Sequence, residues 1–209
     1  MSTNLSDLTW GLNLVFGPSP RFRGGGLPRA IAMTDMVRAP DPKKLLLGLP
    51  FGSAIILRHP DVETLTQQAR DALPLAKKLG HRVLIAGDPR VALNVGADGV
   101  HLQEALINRK PNTYWAKIHP RWIITTSAHK FKTIRNAQLA GADAVILSPV
   151  LTTTSHPGER PLCFLRFSKL CRSSKLAVYA LGGISQYNIP RLKGSGCAGI
   201  AGIHAFLGN

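Results

Sequence analysis

The sequence is poor in cysteine and in acidic residues, and it contains no long apolar run. Its three cysteines, Cys163, Cys171 and Cys197, show neither CxxC nor zinc-finger spacing, so we expect inert thiols and no disulfide framework. No stretch approaches the roughly 20 consecutive apolar residues that span a bilayer. The apolar segment 8–16 lacks a preceding basic region, so we expect no secretory signal. These absences predict a cytoplasmic protein without a membrane partner.

The charge balance is strongly basic, with 26 Lys and Arg against 11 Asp and Glu and a formal net charge of +15. Such an excess favours anionic partners. The basic residues are scattered as singles and pairs such as Lys43-Lys44, and no RRM, KH, helix-turn-helix or zinc-finger pattern accompanies them. We therefore expect phosphorylated small molecules as ligands and no specific nucleic-acid partner. Nonspecific contact with RNA stays open, and so does a homodimer.

The chain divides into an irregular beginning and a periodic remainder. Residues 1–28 show no clear period and end in a basic, glycine-rich connector, which predicts an N-terminal extension. From residue 29 onward, short apolar runs rich in β-formers alternate with segments of helical period. The predicted strands are Ala30–Thr34, Ser53–Arg58, Arg82–Ala86, Gly99–Leu102, Trp122–Ser127, Ala144–Pro149, Ala177–Leu181 and Gly199–Ile203. The predicted helices are Val62–Leu79, Arg90–Val95, Phe131–Ala140, Leu162–Arg172 and Asn188–Lys193.

This alternation predicts the α/β class. Strands that are apolar on both faces and are separated by helices form parallel sheets covered by those helices. Eight such units close a (β/α)8 TIM barrel, which we predict for residues 29–209. A doubly wound open sheet is the competing architecture.

The end of the chain carries the clearest candidate binding site. Gly182 and Gly183 follow the seventh predicted strand, Ile203 ends the eighth, and His204 follows it. Bare main-chain amides at these positions bind phosphate in many barrels. The alternative is a tight strand-to-helix turn that merely requires glycine. The position after strands seven and eight favours phosphate binding.

A hydroxyl-rich loop follows the sixth predicted strand. It contains Thr152, Thr153, Thr154 and Ser155, whose hydroxyls are suited to binding diphosphate oxygens, and its glycine end is suited to a lid. A solvated surface loop explains the same composition equally well.

Several motifs together carry a resemblance to a known family. They are Met33-Thr34-Asp35, Leu57-Arg58, GADGVHL at 96–102, Ser127-Ala128-His129, GADAVILSPV at 141–150, LGGI at 181–184 and the segment 199–205. In this order, residues 29–206 resemble the thiamine phosphate synthase and TenI family. The resemblance implies a barrel that joins hydroxymethylpyrimidine diphosphate to thiazole phosphate and releases pyrophosphate with the help of Mg²⁺.

The resemblance also implies roles for individual residues. Arg58 matches a diphosphate-binding arginine, and His156 stands where the family has a lysine in the hydroxyl loop. The usual metal-binding pattern is altered, and Asp88 and Glu104 are the nearest substitutes as Mg²⁺ ligands. His129 matches the histidine that TenI-type thiazole tautomerases use as an acid–base. A tautomerase using His129 and a catalytically silent phosphate-ligand binder are therefore the alternatives to a synthase.

Overall fold

Eight parallel strands form a closed barrel in the order β1 to β8. The computed structural model describes residues 26–109, 119–153, 160–203 and Phe206. The strands are β1 (Ala30–Met33), β2 (Ala54–Leu57), β3 (Arg82–Ala86), β4 (Gly99–Leu102), β5 (Ile123–Ala128), β6 (Ala144–Leu147), β7 (Ala177–Ala180) and β8 (Gly199–Gly202). The predicted TIM barrel is confirmed, and the open-sheet alternative is wrong because β8 pairs with β1.

Helices follow most of the strands. They are α1 (Pro42–Gly48), α2 (Val62–Lys78), α3 (Pro89–Val95), α4 (Glu104–Arg109), α5 (Phe131–Leu139), α6 (Phe164–Ser173) and a 3-10 helix at Ile189–Leu192. The helix expected at Asn188–Lys193 is thus a short 3-10 turn, and α1 and α4 were not predicted. None of the helices in the described ranges has the length and apolarity of a membrane span.

The core has two layers that follow the alternation of side chains along each strand. Ile31 and Met33 point into the barrel, whereas Ala30 and Ala32 pack against the surrounding helices. Tyr179 fills the inner layer and donates a hydrogen bond to the carbonyl of Pro28. The residues just before β1 therefore contact the barrel interior. Apart from residues 26–28, the predicted N-terminal extension lies outside the described residues.

The repeated Gly-Ala-Asp motifs have a structural role. Gly96 ends α3 in the left-handed conformation, with φ 72°, and Gly141 has φ 75°. The aspartate of each motif then accepts a hydrogen bond from the backbone of a neighbouring strand. Asp98 Oδ2 lies 2.9 Å from Val83 N, and Asp143 Oδ2 lies 2.9 Å from Ile124 N. These two carboxylates fix the amino ends of the strands, at the opposite end of the barrel from the expected site.

Candidate functional site

The turn after β7 requires glycine at both positions. Gly182 and Gly183 have φ values of 94° and 68°, which residues with a Cβ atom rarely adopt. A Cβ at Gly183 would also collide with the carbonyl oxygen of Thr152, and one at Gly182 would lie 3.0 Å from Pro149 Cα. The turn therefore packs directly against the loop that follows β6.

The amides of this turn are available to a ligand. Within the described ranges, the main-chain N–H groups of Gly182, Gly183 and Ile184 donate no hydrogen bond. Asn188 holds the turn in place, because its Nδ2 donates to the Gly183 carbonyl at 2.7 Å and its Oδ1 accepts from Ser185 N at 2.9 Å. The role of Asn188 in holding the turn was not predicted from the sequence, although an asparagine five residues after a glycine turn is a recognisable signal.

A cavity of about 260 Å³ opens at the carboxyl ends of β7 and β8. It brings the glycine turn, the β8 end, the hydroxyl loop and a cationic side chain together. Its lining includes Arg38, Thr152, Thr153, Gly182, Gly183 and Ile203. Arg38 was not predicted as a site residue. Of the predicted site residues, Thr154, Ser155, His156 and His204 lie outside the described residues.

Arg38 belongs to a charge network that also contains Arg58. Asp35 Oδ2 lies 2.8 Å from Arg38 Nη2 and 2.9 Å from Arg58 Nη2. Arg58 Nε further donates to the Thr34 carbonyl at 2.6 Å. Hydrogen bonds from Arg38 hold the pKa of Asp35 well below its usual value, so this carboxylate is ionised at neutral pH. The network orients two guanidinium groups at the ends of β1 and β2, and the two cations outnumber the one anion.

His101 lies inside the barrel, close to this network. Its Nδ1 is 2.9 Å from Thr125 Oγ1, and its Nε2 is 2.9 Å from Ser127 Oγ. Burial and, to a lesser extent, the charge of Arg58 lower the pKa of His101 to about 4. The imidazole is therefore neutral at pH 7, and both of its ring nitrogens lie within hydrogen-bonding distance of a hydroxyl group.

A second cluster is centred on His129 at the end of β5. Its Nδ1 hydrogen-bonds to Oε2 of Glu104, and its Nε2 lies 3.3 Å from Ser148 Oγ. Oε1 of Glu104 accepts a hydrogen bond from Thr133. Burial raises the pKa of Glu104, but hydrogen bonds from Thr133 and His129 outweigh this effect and lower the pKa below its usual value. The His129 side chain is 43% exposed, so a molecule in the barrel mouth can reach it.

The described residues do not fit an Mg²⁺ site. Asp88 caps the amino end of α3, where its Oδ1 accepts from Arg90 N at 2.9 Å. Both carboxylate oxygens of Glu104 are engaged by His129 and Thr133. No group of three or more His, Cys, Asp or Glu side chains with metal-binding geometry occurs in the described part of the chain. Asp88 and Glu104 thus have partners other than a metal.

A larger cavity of about 740 Å³ lies at the other end of the barrel, between α2 and α3. Its lining includes Lys77, Arg82 and Asp98, and Arg82 Nη1 forms an ion pair with Asp98 at 3.1 Å. Barrel enzymes place their chemistry at the carboxyl ends of the strands. We therefore assign the candidate site to the cavity of about 260 Å³ at the carboxyl ends of β7 and β8, although the other cavity is larger.

The three cysteines lie in different environments. Cys163 is exposed, whereas Cys171 and Cys197 are buried. Burial raises the pKa of both buried thiols, which keeps them protonated and unreactive at neutral pH.

Comparisons with known proteins agree with this architecture. A sequence model of the family described as thiamine monophosphate synthase matches residues 43–206. A protein of Aquifex aeolicus (strain VF5) named "Putative thiamine-phosphate synthase 2" is 34% identical over 186 residues, covering 87% of this chain and 98% of that protein. The thiamine-phosphate synthase of Herpetosiphon aurantiacus is 28% identical, covering 85% of this chain and 87% of that protein.

A solved structure gives the same result. The thiamine phosphate pyrophosphorylase of Pyrococcus furiosus superposes with a TM-score of 0.70 at 25% identity, covering 87% of this chain and 88% of that chain. The closed barrel, the extent of the family match and the coverage of the relatives agree. The chain therefore belongs to the thiamine monophosphate synthase family.

Proposed function

We propose that the protein is a thiamine phosphate synthase, which joins hydroxymethylpyrimidine diphosphate to thiazole phosphate and releases pyrophosphate. The observation that carries the proposal is the cavity at the ends of β7 and β8, which is lined by Arg38 and by glycines whose main-chain N–H groups donate to no acceptor in the described ranges. Amides and a guanidinium group are the donors that a phosphate monoester requires. In this proposal the thiazole phosphate binds there.

The cationic network supplies the second half of the proposed site. In the reaction, the bond between the pyrimidine methylene and the diphosphate oxygen breaks, and the thiazole nitrogen forms a bond to that methylene. Negative charge grows on the leaving diphosphate, so oriented cations stabilise the transition state more than the ground state. Arg58, held by Asp35 and Thr34, is the residue we assign to this task. Thr152 and Thr153 line the cavity together with Arg38, the other arginine of the network. The predicted contributions of Thr154, Ser155, His156 and His204 belong to the same proposal.

Mg²⁺ is implied by the family, but we assign no step to it. The two carboxylates that the sequence offered as ligands are used as a helix cap and as a partner of His129. The proposed synthase reaction therefore rests on arginine side chains and main-chain amides in the described part of the site.

A thiazole tautomerase is the second candidate, and the cluster at His129 favours it. Tautomerisation needs one positioned group that removes a proton and returns it elsewhere on the ring. Glu104 orients the imidazole through Nδ1, which directs Nε2 toward Ser148. This function needs no metal and uses the same phosphate cavity.

One set of assays separates these functions. The purified protein is incubated with both precursors, with and without Mg²⁺, and thiamine phosphate is measured by chromatography. We expect product, and we expect Arg58→Ala to lower its rate by roughly 10²–10³-fold. Arg70→Ala is the control, because Arg70 is exposed on α2, away from the barrel mouth.

Other outcomes are equally informative. Conversion of thiazole carboxylate phosphate to its tautomer, abolished by His129→Ala and without formation of thiamine phosphate, would replace the synthase with the second candidate. Binding of thiazole phosphate with no turnover of either kind would show a silent barrel and refute both enzyme functions.

A further inference from the structure

Three side chains at the barrel mouth form a relay that the proposed synthase reaction does not use. Ser148 follows β6, His129 follows β5, and Glu104 begins α4 after β4. The serine oxygen is 3.3 Å from Nε2 of the imidazole, and the carboxylate contacts the other ring nitrogen. A nucleophile within reach of a base, with the base oriented by a third group, is the arrangement of enzymes that form covalent intermediates.

The hydrogen bonds define the direction of proton transfer. An ionised carboxylate only accepts hydrogen bonds, so the proton of a neutral His129 resides on Nδ1, next to Glu104. The lone pair of Nε2 is then directed at the hydroxyl of Ser148. Thr133 contacts the second oxygen of Glu104, and Asn108 Nδ2 also approaches that oxygen, at 3.5 Å. The carboxylate is therefore fixed on both sides.

Donors for a developing oxyanion lie at the end of the next strand. Ser148 directly precedes Pro149, whose Cα would be 3.0 Å from a Cβ at Gly182. Gly182 and Gly183 belong to the turn whose N–H groups donate to no acceptor within the described ranges. Free amides beside the nucleophile are what attack on a carbonyl group requires.

We propose that Ser148 is a nucleophile activated by His129 and Glu104, and that the protein hydrolyses small carboxylic esters through an acyl-enzyme on Ser148. In the first step the Ser148 Oγ–carbon bond forms, the serine proton passes to Nε2, and the alcohol leaves with that proton as its bond to the carbonyl carbon breaks. In the second step water gives a proton to Nε2 and attacks the acyl carbon. The bond between the acyl carbon and Ser148 Oγ then breaks, the proton on Nε2 returns to Oγ, and the carboxylic acid is released.

This activity goes beyond the proposed synthase function, and neither depends on the other. It needs no phosphorylated precursor and no diphosphate. Failure of the ester assay would leave the synthase assay unaffected, and the reverse also holds.

The test uses two probes of the full chain. A fluorophosphonate should form one covalent adduct per chain, with a new Oγ–phosphorus bond and release of fluoride, and peptide mass mapping should place the adduct on Ser148. Hydrolysis of p-nitrophenyl acetate should show a burst of p-nitrophenol equal to the concentration of the protein, as expected when an acyl-enzyme accumulates.

Variants test the relay itself. Ser148→Ala should abolish both signals, and His129→Ala and Glu104→Gln should each slow labelling by roughly 10²-fold or more. Glu104→Gln keeps the size of the side chain, and circular dichroism of each variant separates loss of chemistry from loss of fold. Ser173→Ala, at an exposed serine in α6, should react like the unmodified protein. An absent adduct, an adduct on another residue, or Ser148 labelling at an unchanged rate in the His129 and Glu104 variants would each overturn the proposal.

Discussion

Replacing Gly183 with alanine tests the phosphate cavity directly. The residue has φ 68°, and an alanine Cβ would overlap the carbonyl oxygen of Thr152, which also lines the cavity. The left-handed conformation alone costs a residue with a Cβ about 1–2 kcal/mol. Forcing an atom into packed surroundings adds about 1–3 kcal/mol. Gly183→Ala is therefore expected to lower stability by about 2–5 kcal/mol and to move the Thr152 loop.

Gly52→Ala is the matched control. Gly52 has φ 77°, but no heavy atom lies within 4 Å of the Cβ position, so only the conformational cost of about 1–2 kcal/mol applies. Urea unfolding gives both stabilities, and calorimetric titration with thiazole phosphate gives the affinities. We expect at least about tenfold weaker binding in Gly183→Ala, because the displaced amides no longer face one anion, and unchanged binding in Gly52→Ala. Unaltered affinity in a folded Gly183→Ala variant would refute the assignment of the phosphate to this cavity.

Three further predictions concern stability. Asp35→Asn should lower the free energy of unfolding at pH 7 by about 1–3 kcal/mol. Because the folded-state pKa of Asp35 is depressed, the difference in stability between the variant and the unmodified protein should shrink as pH falls below about 4. Urea unfolding of both proteins at pH 7 and pH 3 measures it. The pKa of His101 is lowered to about 4, so the folded state loses stability as pH falls from about 6.5 toward 4. In His101→Gln the melting temperature should therefore change less with pH in this range, as thermal denaturation at several pH values measures. A pH dependence equal to that of the unmodified protein would contradict this. Tyr179→Phe leaves the Pro28 carbonyl without its donor and should cost about 1–3 kcal/mol in chemical denaturation, whereas an unchanged midpoint would mean that the contact contributes nothing.

The barrel was predictable because each strand is buried on both faces and therefore occurs in the sequence as a short apolar run. All eight predicted strands exist, and their ends differ by at most two residues from those observed. Helices were less predictable where they are short. The helix α1 has only seven residues, and two consecutive lysines followed by three leucines give it no clear period. Its signal was local instead: Asp41 accepts from Lys43 N, and Pro42 occupies the first turn.

The site was predictable only in part, because its side chains are brought together by closure of the barrel. The glycine turn after β7 has a sequence signal, since two adjacent glycines mark a conformation that other residues avoid. Arg38 has a weaker one, a carboxylate three residues earlier in a tight turn. The pairing of Glu104 with His129 spans 25 residues and depends on the adjacency of the β4 and β5 ends, so no local pattern reveals it. Similarity to a family pointed to Glu104 as a metal ligand, a role that its observed partners do not favour.

The use of carboxylates explains why this barrel mouth is suited to anions. Five aspartates serve as helix caps or strand anchors: Asp41, Asp61, Asp88, Asp98 and Asp143. At the mouth, the carboxylate of Asp35 is shared by two arginines, and that of Glu104 is bound to a histidine and a threonine. A carboxylate with two cationic neighbours leaves an excess of positive charge, and free amides nearby add to the same potential. The net charge of +15 is thus accompanied at the site by carboxylates that already have partners. The phosphorylated ligand that we propose would meet Arg38 and main-chain N–H donors in the described part of the cavity.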